Sequence, residues 1–125
     1  MKLRSVPAVA AAVLIAAGVS AAPAQADTPS RAGCPGGAVC MYEGNGYANN
    51  TPEHIWTSYG FHPLHNEYGT RIVLNNQYQT SAGRAGAYMC RSWDPSSCNN
   101  VIEMGFFTYV YIDPINYVRL TPSGG

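Results

Sequence analysis

The chain has 125 residues, 46% of them hydrophobic, with nine Tyr, four Cys and a formal net charge of zero. From residue 27 onward it holds five Arg and no Lys against all seven acidic side chains, a balance that excludes a basic nucleic-acid face and argues against an anionic membrane as partner. The wealth of aromatic and β-branched residues excludes a disordered chain, and the length suits one domain.

Lys2 and Arg4 give a positive start, residues 6–19 are almost all Ala, Val, Leu and Ile, and Ala24-Gln25-Ala26 is a small-x-small cleavage pattern. These are the parts of a secretory signal peptide over 1–26, with a mature domain over 27–125. A membrane anchor fits less well, because Pro7 and Gly18 interrupt the run and no second apolar run follows. The expected product is secreted and free of the membrane once the signal is removed.

Four cysteines in a secreted chain of this size read as two disulfides, for which three pairings are possible. Cys34 with Cys40 and Cys90 with Cys98 are close pairs flanked by turn residues, which favours two local rings. A four-cysteine zinc site is disfavoured, since five and seven residues intervene where paired ligands usually have two to four between them.

The first strand is expected over Ala38–Glu43, leaving through the turn signal Gly44-Asn45-Gly46. A second is expected over Glu53–Ser58. Tyr59–Gly69 reads as a loop. Thr70–Leu74, ending in Asn75-Asn76, is too short for periodicity to separate a helical turn from a strand. Gln79–Gly86 reads as a connector and Ala87–Arg91 as a strand. Phe106–Ile112 is the clearest strand, apolar on both faces and so expected to be covered at least partly on both. Tyr117–Thr121 is a last short strand. Val39–Tyr42 and Ile72–Leu74 bound one half, Tyr88–Arg91 and Val118–Leu120 another, a coarse repeat in which each half has the size of a Greek key. Tyr42, Trp56, Phe106, Val110, Ile112, Val118 and Leu120 are the expected core.

Cys-Pro-Gly-Gly-x-Val-Cys-x-Tyr at 34–42, just after a signal peptide, resembles the secreted actinobacterial proteinase inhibitors typified by the Streptomyces metalloproteinase inhibitor. Tyr42-Glu43-x-x-x-Tyr47 also resembles the opening of a βγ-crystallin Greek key, with Asn49 where that pattern carries Gly. The resemblance implies an all-β fold, two Greek keys packed as a βγ-crystallin-like sandwich. It implies a secreted inhibitor of extracellular proteases, metalloproteases first, acting as a monomer. It places the protease-binding loop at Cys90, Arg91, Ser92 and Trp93, closed by the Cys90–Cys98 disulfide, with the attacked bond just after Cys90. This loop is longer than the family founder's. Arg91 stands where thermolysin-like enzymes favour an apolar side chain, so a trypsin-like target is the rival.

The alternative is a structural or toxin-like secreted module that binds calcium or cell-wall glycan, with Tyr47, Tyr59 and Trp93 available for stacking. Asn66-Glu67-Tyr68-Gly69-Thr70-Arg71 matches a crystallin calcium pattern in part, but Arg71 replaces the final Ser. His62-x-x-His65 lacks the helix that gives this spacing metal-binding meaning. No nucleophile elbow or phosphate loop is present, so neither enzyme activity nor a cofactor or metal is expected.

Overall fold

The computed structural model describes residues 28–124, so the signal peptide expected over 1–26 lies outside the described residues. Eight strands are present: β1 Ala38–Tyr42, β2 His54–Trp56, β3 Gly60–Pro63, β4 Thr70–Asn76, β5 Gly86–Cys90, β6 Cys98–Glu103, β7 Phe107–Tyr111 and β8 Tyr117–Thr121. They form two four-stranded antiparallel sheets, in the orders β2-β1-β4-β7 and β3-β8-β5-β6. Each sheet therefore takes three strands from one half of the chain and the third strand of the other half. The exchange is compatible with two crystallin-type Greek keys.

The repeat read from sequence is visible in the strand registers. Met41 pairs with Val73 and Met89 with Val118, and β7 and β3 place Thr108 and His62 opposite those same two valines. The repeat thus superposes Met41 on Met89 and Val73 on Val118. Both methionines and both valines are buried in the layer between the sheets.

Local chemistry accounts for β1. Val39 and Met41 point into the inter-sheet core, while Ala38, Cys40 and Tyr42 form a second buried cluster with Cys34 and Leu74. A strand apolar on both faces needs cover on both, and the Cys34–Cys40 ring with Tyr47 supplies the outer cover. Gly37, at φ +94°, lies so close to the Tyr78 ring that a Cβ there would sit 2.6 Å from a ring carbon. The bend of the ring therefore depends on glycine.

The structure differs from the sequence expectations in several places. The second strand is only His54–Trp56, and the expected loop 59–69 contains β3. The ambiguous segment at 70–74 is a strand that runs on through Asn75 and Asn76, and β6 carries no clear alternation signal. β7 is not covered on both faces: Phe107, Tyr109 and Tyr111 are 41, 69 and 63% exposed, and Phe106 is 58% exposed rather than core. Alternation reports which residues share a face, not whether anything lies over it, and β7 is an edge strand. Trp56 packs against the core while only partly buried, and the other five expected core residues are buried. Gly44 takes a positive φ within the first turn, and the non-glycine residue that does so after it is Asn50, not Asn49.

Tyr42 yields a pH prediction. Its side chain is buried, and its hydroxyl donates to the Ala32 carbonyl at 2.8 Å. Burial, and then the neighbouring Tyr47, push the phenol from 10.0 up to about 12. A raised folded value favours the neutral phenol, so this contribution is whole below the unfolded value near pH 10 and is lost as pH rises from there through about 12. Denaturant midpoints measured from pH 9 to 12 are expected to fall across this window, and to fall less steeply in Tyr42→Phe.

Candidate functional site: a disulfide-closed loop and an aromatic strip

The described residues hold two disulfides, Cys34–Cys40 and Cys90–Cys98, and no free cysteine. The pairing is the local one. Cys90 and Cys98 stand directly opposite each other where β5 and β6 meet, so the bond shuts the base of loop 91–97.

The loop is ordered from within. Pro95 opens a 3-10 turn over Pro95–Ser97, with its φ preset by the ring. Asp94 caps that turn, its carboxylate accepting the Ser96 N–H at 3.0 Å. The Ser97 hydroxyl accepts the Ser92 N–H at 3.0 Å and donates to the Asp94 carbonyl at 2.7 Å. The Arg91 N–H donates to the Ser97 carbonyl at 3.3 Å. Asn116, just before β8, ties the loop to the sheet: its N–H donates to the Cys90 carbonyl at 2.9 Å and its Nδ2 to the Arg91 carbonyl at 2.8 Å. Residues 91–96 are all exposed, and Trp93 is 72% exposed.

These bonds decide which backbone carbonyls the loop leaves free. The carbonyls of Cys90 and Arg91 are both engaged by Asn116. The Ser92 carbonyl lies 2.9 Å from the Ser97 hydroxyl. Trp93 is the first loop residue whose carbonyl has no hydrogen-bond donor within reach among the described residues.

Beside the loop, the outer face of the second sheet carries a strip that the sequence did not disclose. Phe61, Arg119 and Tyr88 lie in one row across β3, β8 and β5. The Arg119 guanidinium stands 5.4 Å from the Phe61 ring centre and 6.0 Å from that of Tyr88. Phe61 touches Trp93 at 5.9 Å and Tyr117 edge-on at 6.0 Å. Alternation within β3 puts Phe61 on an outer face, but the Gly, Pro, His and Asn content of 59–69 reads as loop.

The remaining candidates are dispersed. Tyr47 is wedged between Tyr42 and Phe107 at 5.1 and 5.0 Å, and Tyr59 is 56% exposed. His62 bonds the Ser58 carbonyl at 2.7 Å, and His65 is exposed. In the calcium-like segment, Arg71 turns its guanidinium to Glu53 at 3.0 Å. The Gly69 N–H donates to Asp113 at 2.6 Å and, with the Tyr111 hydroxyl, holds that carboxyl below its usual range. An open groove of about 740 Å³ runs past Val101, Phe106, Tyr109 and Tyr111 and shares no residue with the loop.

No protein family, curated protein or solved structure matches this chain. Fold and loop together define a small two-sheet β protein with two local disulfides, a pattern compatible with an extracellular protein. Among the described residues no helix is long and apolar enough to cross a membrane.

Proposed function

We propose that the protein is a secreted, monomeric inhibitor of extracellular proteases, a binding protein rather than an enzyme, that docks through loop 91–97. The observation that carries this is the loop's rigidity before any partner arrives: one disulfide and a closed set of hydrogen bonds hold an exposed segment. A segment already held in one conformation loses little entropy on docking, so more of its contact energy becomes affinity. The resemblance of residues 34–42 to the actinobacterial metalloproteinase inhibitors supports the same reading and favours a metalloprotease target.

The hydrogen bonds refine where a protease would act. A carbonyl bound by a catalytic zinc or an oxyanion hole must be free to turn toward it, and those of Cys90 and Arg91 are occupied by Asn116. The apex, at the Trp93–Asp94 bond, is the better candidate for the cleft, with Arg91 at its rim. Trp93 then acts as the anchor, and Phe61 and Tyr117 extend the contact.

Inhibition constants against one zinc metalloprotease and one serine protease test this. Trp93→Ala is expected to weaken inhibition by about thirtyfold or more, the usual loss for a central aromatic anchor. Arg91→Ala is expected to change it by less than about tenfold. Absence of inhibition of either class at about 10 μM, far above the range of a working inhibitor, would overturn the proposal. In that case the aromatic groove at Phe106, Tyr109 and Tyr111 favours the glycan-binding alternative, and pull-down on insoluble cell-wall glycan becomes the decisive assay.

A further inference from the structure

A second cluster lies away from the loop, at the β2 edge of the first sheet. Glu53 precedes β2, His54 opens it, and Glu67 comes from the connection between β3 and β4. One ligand atom from each of the three lies within 4.8 Å of the others. His54 Nε2 and Glu67 Oε2 are 2.7 Å apart. The other oxygen of Glu67, Oε1, is closed to solvent and has no hydrogen-bond partner, in a side chain only 12% exposed. A buried carboxylate oxygen without a partner is costly and rare in folded proteins.

Charge points the same way. Arg71, 8% exposed, pairs with Glu53 at 3.0 Å and stands 3.7 Å from Glu43. Glu43 and Glu53 beside the guanidinium, with Glu67 on the far side of Glu53, leave two carboxylates in excess of Arg71, a charge that one divalent cation would cancel. The imidazole is already oriented: it stacks on Trp56 at 5.1 Å with the planes 9° apart, and its side chain remains 30% exposed, so the site is open to solvent.

We propose that Glu53, His54 and Glu67 bind a divalent transition-metal ion of the zinc class. An imidazole nitrogen with two carboxylates suits zinc, leaving a fourth tetrahedral position for water. Calcium prefers six to eight oxygen ligands, so this donor set selects against it. Entry requires His54 and Glu67 to part slightly, since neighbouring ligand atoms around tetrahedral zinc stand about 3.3 Å apart. The ion would clip the start of β2 to the β3–β4 connection, two segments that no backbone ladder joins, and would do so independently of the protease-binding loop.

The test is titration of the intact mature protein with zinc chloride, followed by calorimetry, thermal melting and the ring NMR signals of its histidines. One zinc per chain is expected, with a raised melting temperature and movement of the His54 ring signals. Glu67→Gln, which keeps the shape, and His54→Gln are each expected to lower affinity by more than about tenfold, while His62→Gln leaves it unchanged. Calcium chloride is expected to do none of this. Zinc uptake that persists in Glu67→Gln, uptake that leaves the His54 signals in place, or no uptake at about 100 μM, well above typical zinc-site dissociation constants, would each overturn the proposal.

Discussion

If loop 91–97 inhibits proteases as proposed, replacing Cys90 and Cys98 together by Ala is expected to turn the protein from an inhibitor into a substrate. The bond closes a ring of only a few residues, so its chain-entropy contribution to stability is about 2–3 kcal/mol, and a domain with its core intact should survive the loss. Affinity should not survive. Without the disulfide only the hydrogen bonds from Arg91 and Ser92 to Ser97 are left to hold the neck, and the order now present before binding must be imposed during it. A cut made in an open loop also releases its ends, whereas the disulfide keeps both halves in the cleft. The expected loss is about a hundredfold or more in inhibition constant, with cleavage products visible by mass spectrometry within one assay. Cys34→Ala with Cys40→Ala is the control: it uncovers the outer face of β1 and should cost stability while inhibition at low temperature persists. A Cys90→Ala/Cys98→Ala variant that inhibits within about threefold of wild type, a difference well under 1 kcal/mol, would show that the loop is not the contact.

The largest expected effect on stability comes from Asn75→Leu. Asn75 is fully buried on β4, and its side chain crosses from the first sheet to the second. Its Nδ2 donates to the carbonyls of Ala85 at 3.1 Å and Ile102 at 2.8 Å. Its Oδ1 accepts from the Gln77 backbone N–H at 3.1 Å and from Gln77 Nε2 at 3.0 Å. Gln77 passes the connection on to the Gly86 carbonyl at 3.1 Å. Leucine has nearly the same volume and gains apolar burial, but it leaves two carbonyls and an amide without partners in a dry interior. Each stranded group costs about 1–3 kcal/mol, so a net loss of about 3–5 kcal/mol is expected after the apolar gain. That is a large share of the stability of a domain this size. Urea midpoints read it directly, and Thr108→Val, at an exposed position, should stay within about 0.5 kcal/mol of wild type. A loss below about 1 kcal/mol for Asn75→Leu would mean that water or a repacked Gln77 replaces the bridge.

Much of the framework was legible because it is local. Cysteine spacing with flanking turn residues anticipated both rings, and the apolar run after Cys34 anticipated β1. The repeated strand pairs anticipated the two halves. Each of these depends on residues close in sequence, where propensity and chain closure act without help from the rest of the fold.

Local patterns therefore suffice for the class: an all-β, two-disulfide chain with an exposed stapled loop at 91–97. Tertiary structure decided which faces are covered and which distant groups meet. The aromatic side chains of β7 alternate as well as those of any core strand, yet they stay largely exposed because the outer face of this edge strand is covered only at Phe107, by Tyr47 and Arg31. Asn75 and Asn76 look like strand terminators and are instead interior connectors, since Asn75 serves the carbonyls of Ala85 and Ile102 and Asn76 those of Pro29, Cys34 and Pro35. Asn116 gives no sign in sequence of its hold on Cys90 and Arg91, and Phe61, Arg119 and Tyr88 form one strip only through the register of three separate strands. Glu53, His54 and Glu67 meet for the same reason: charge, burial and hydrogen bonding between segments are fixed by how the sheets pair, which no local pattern records.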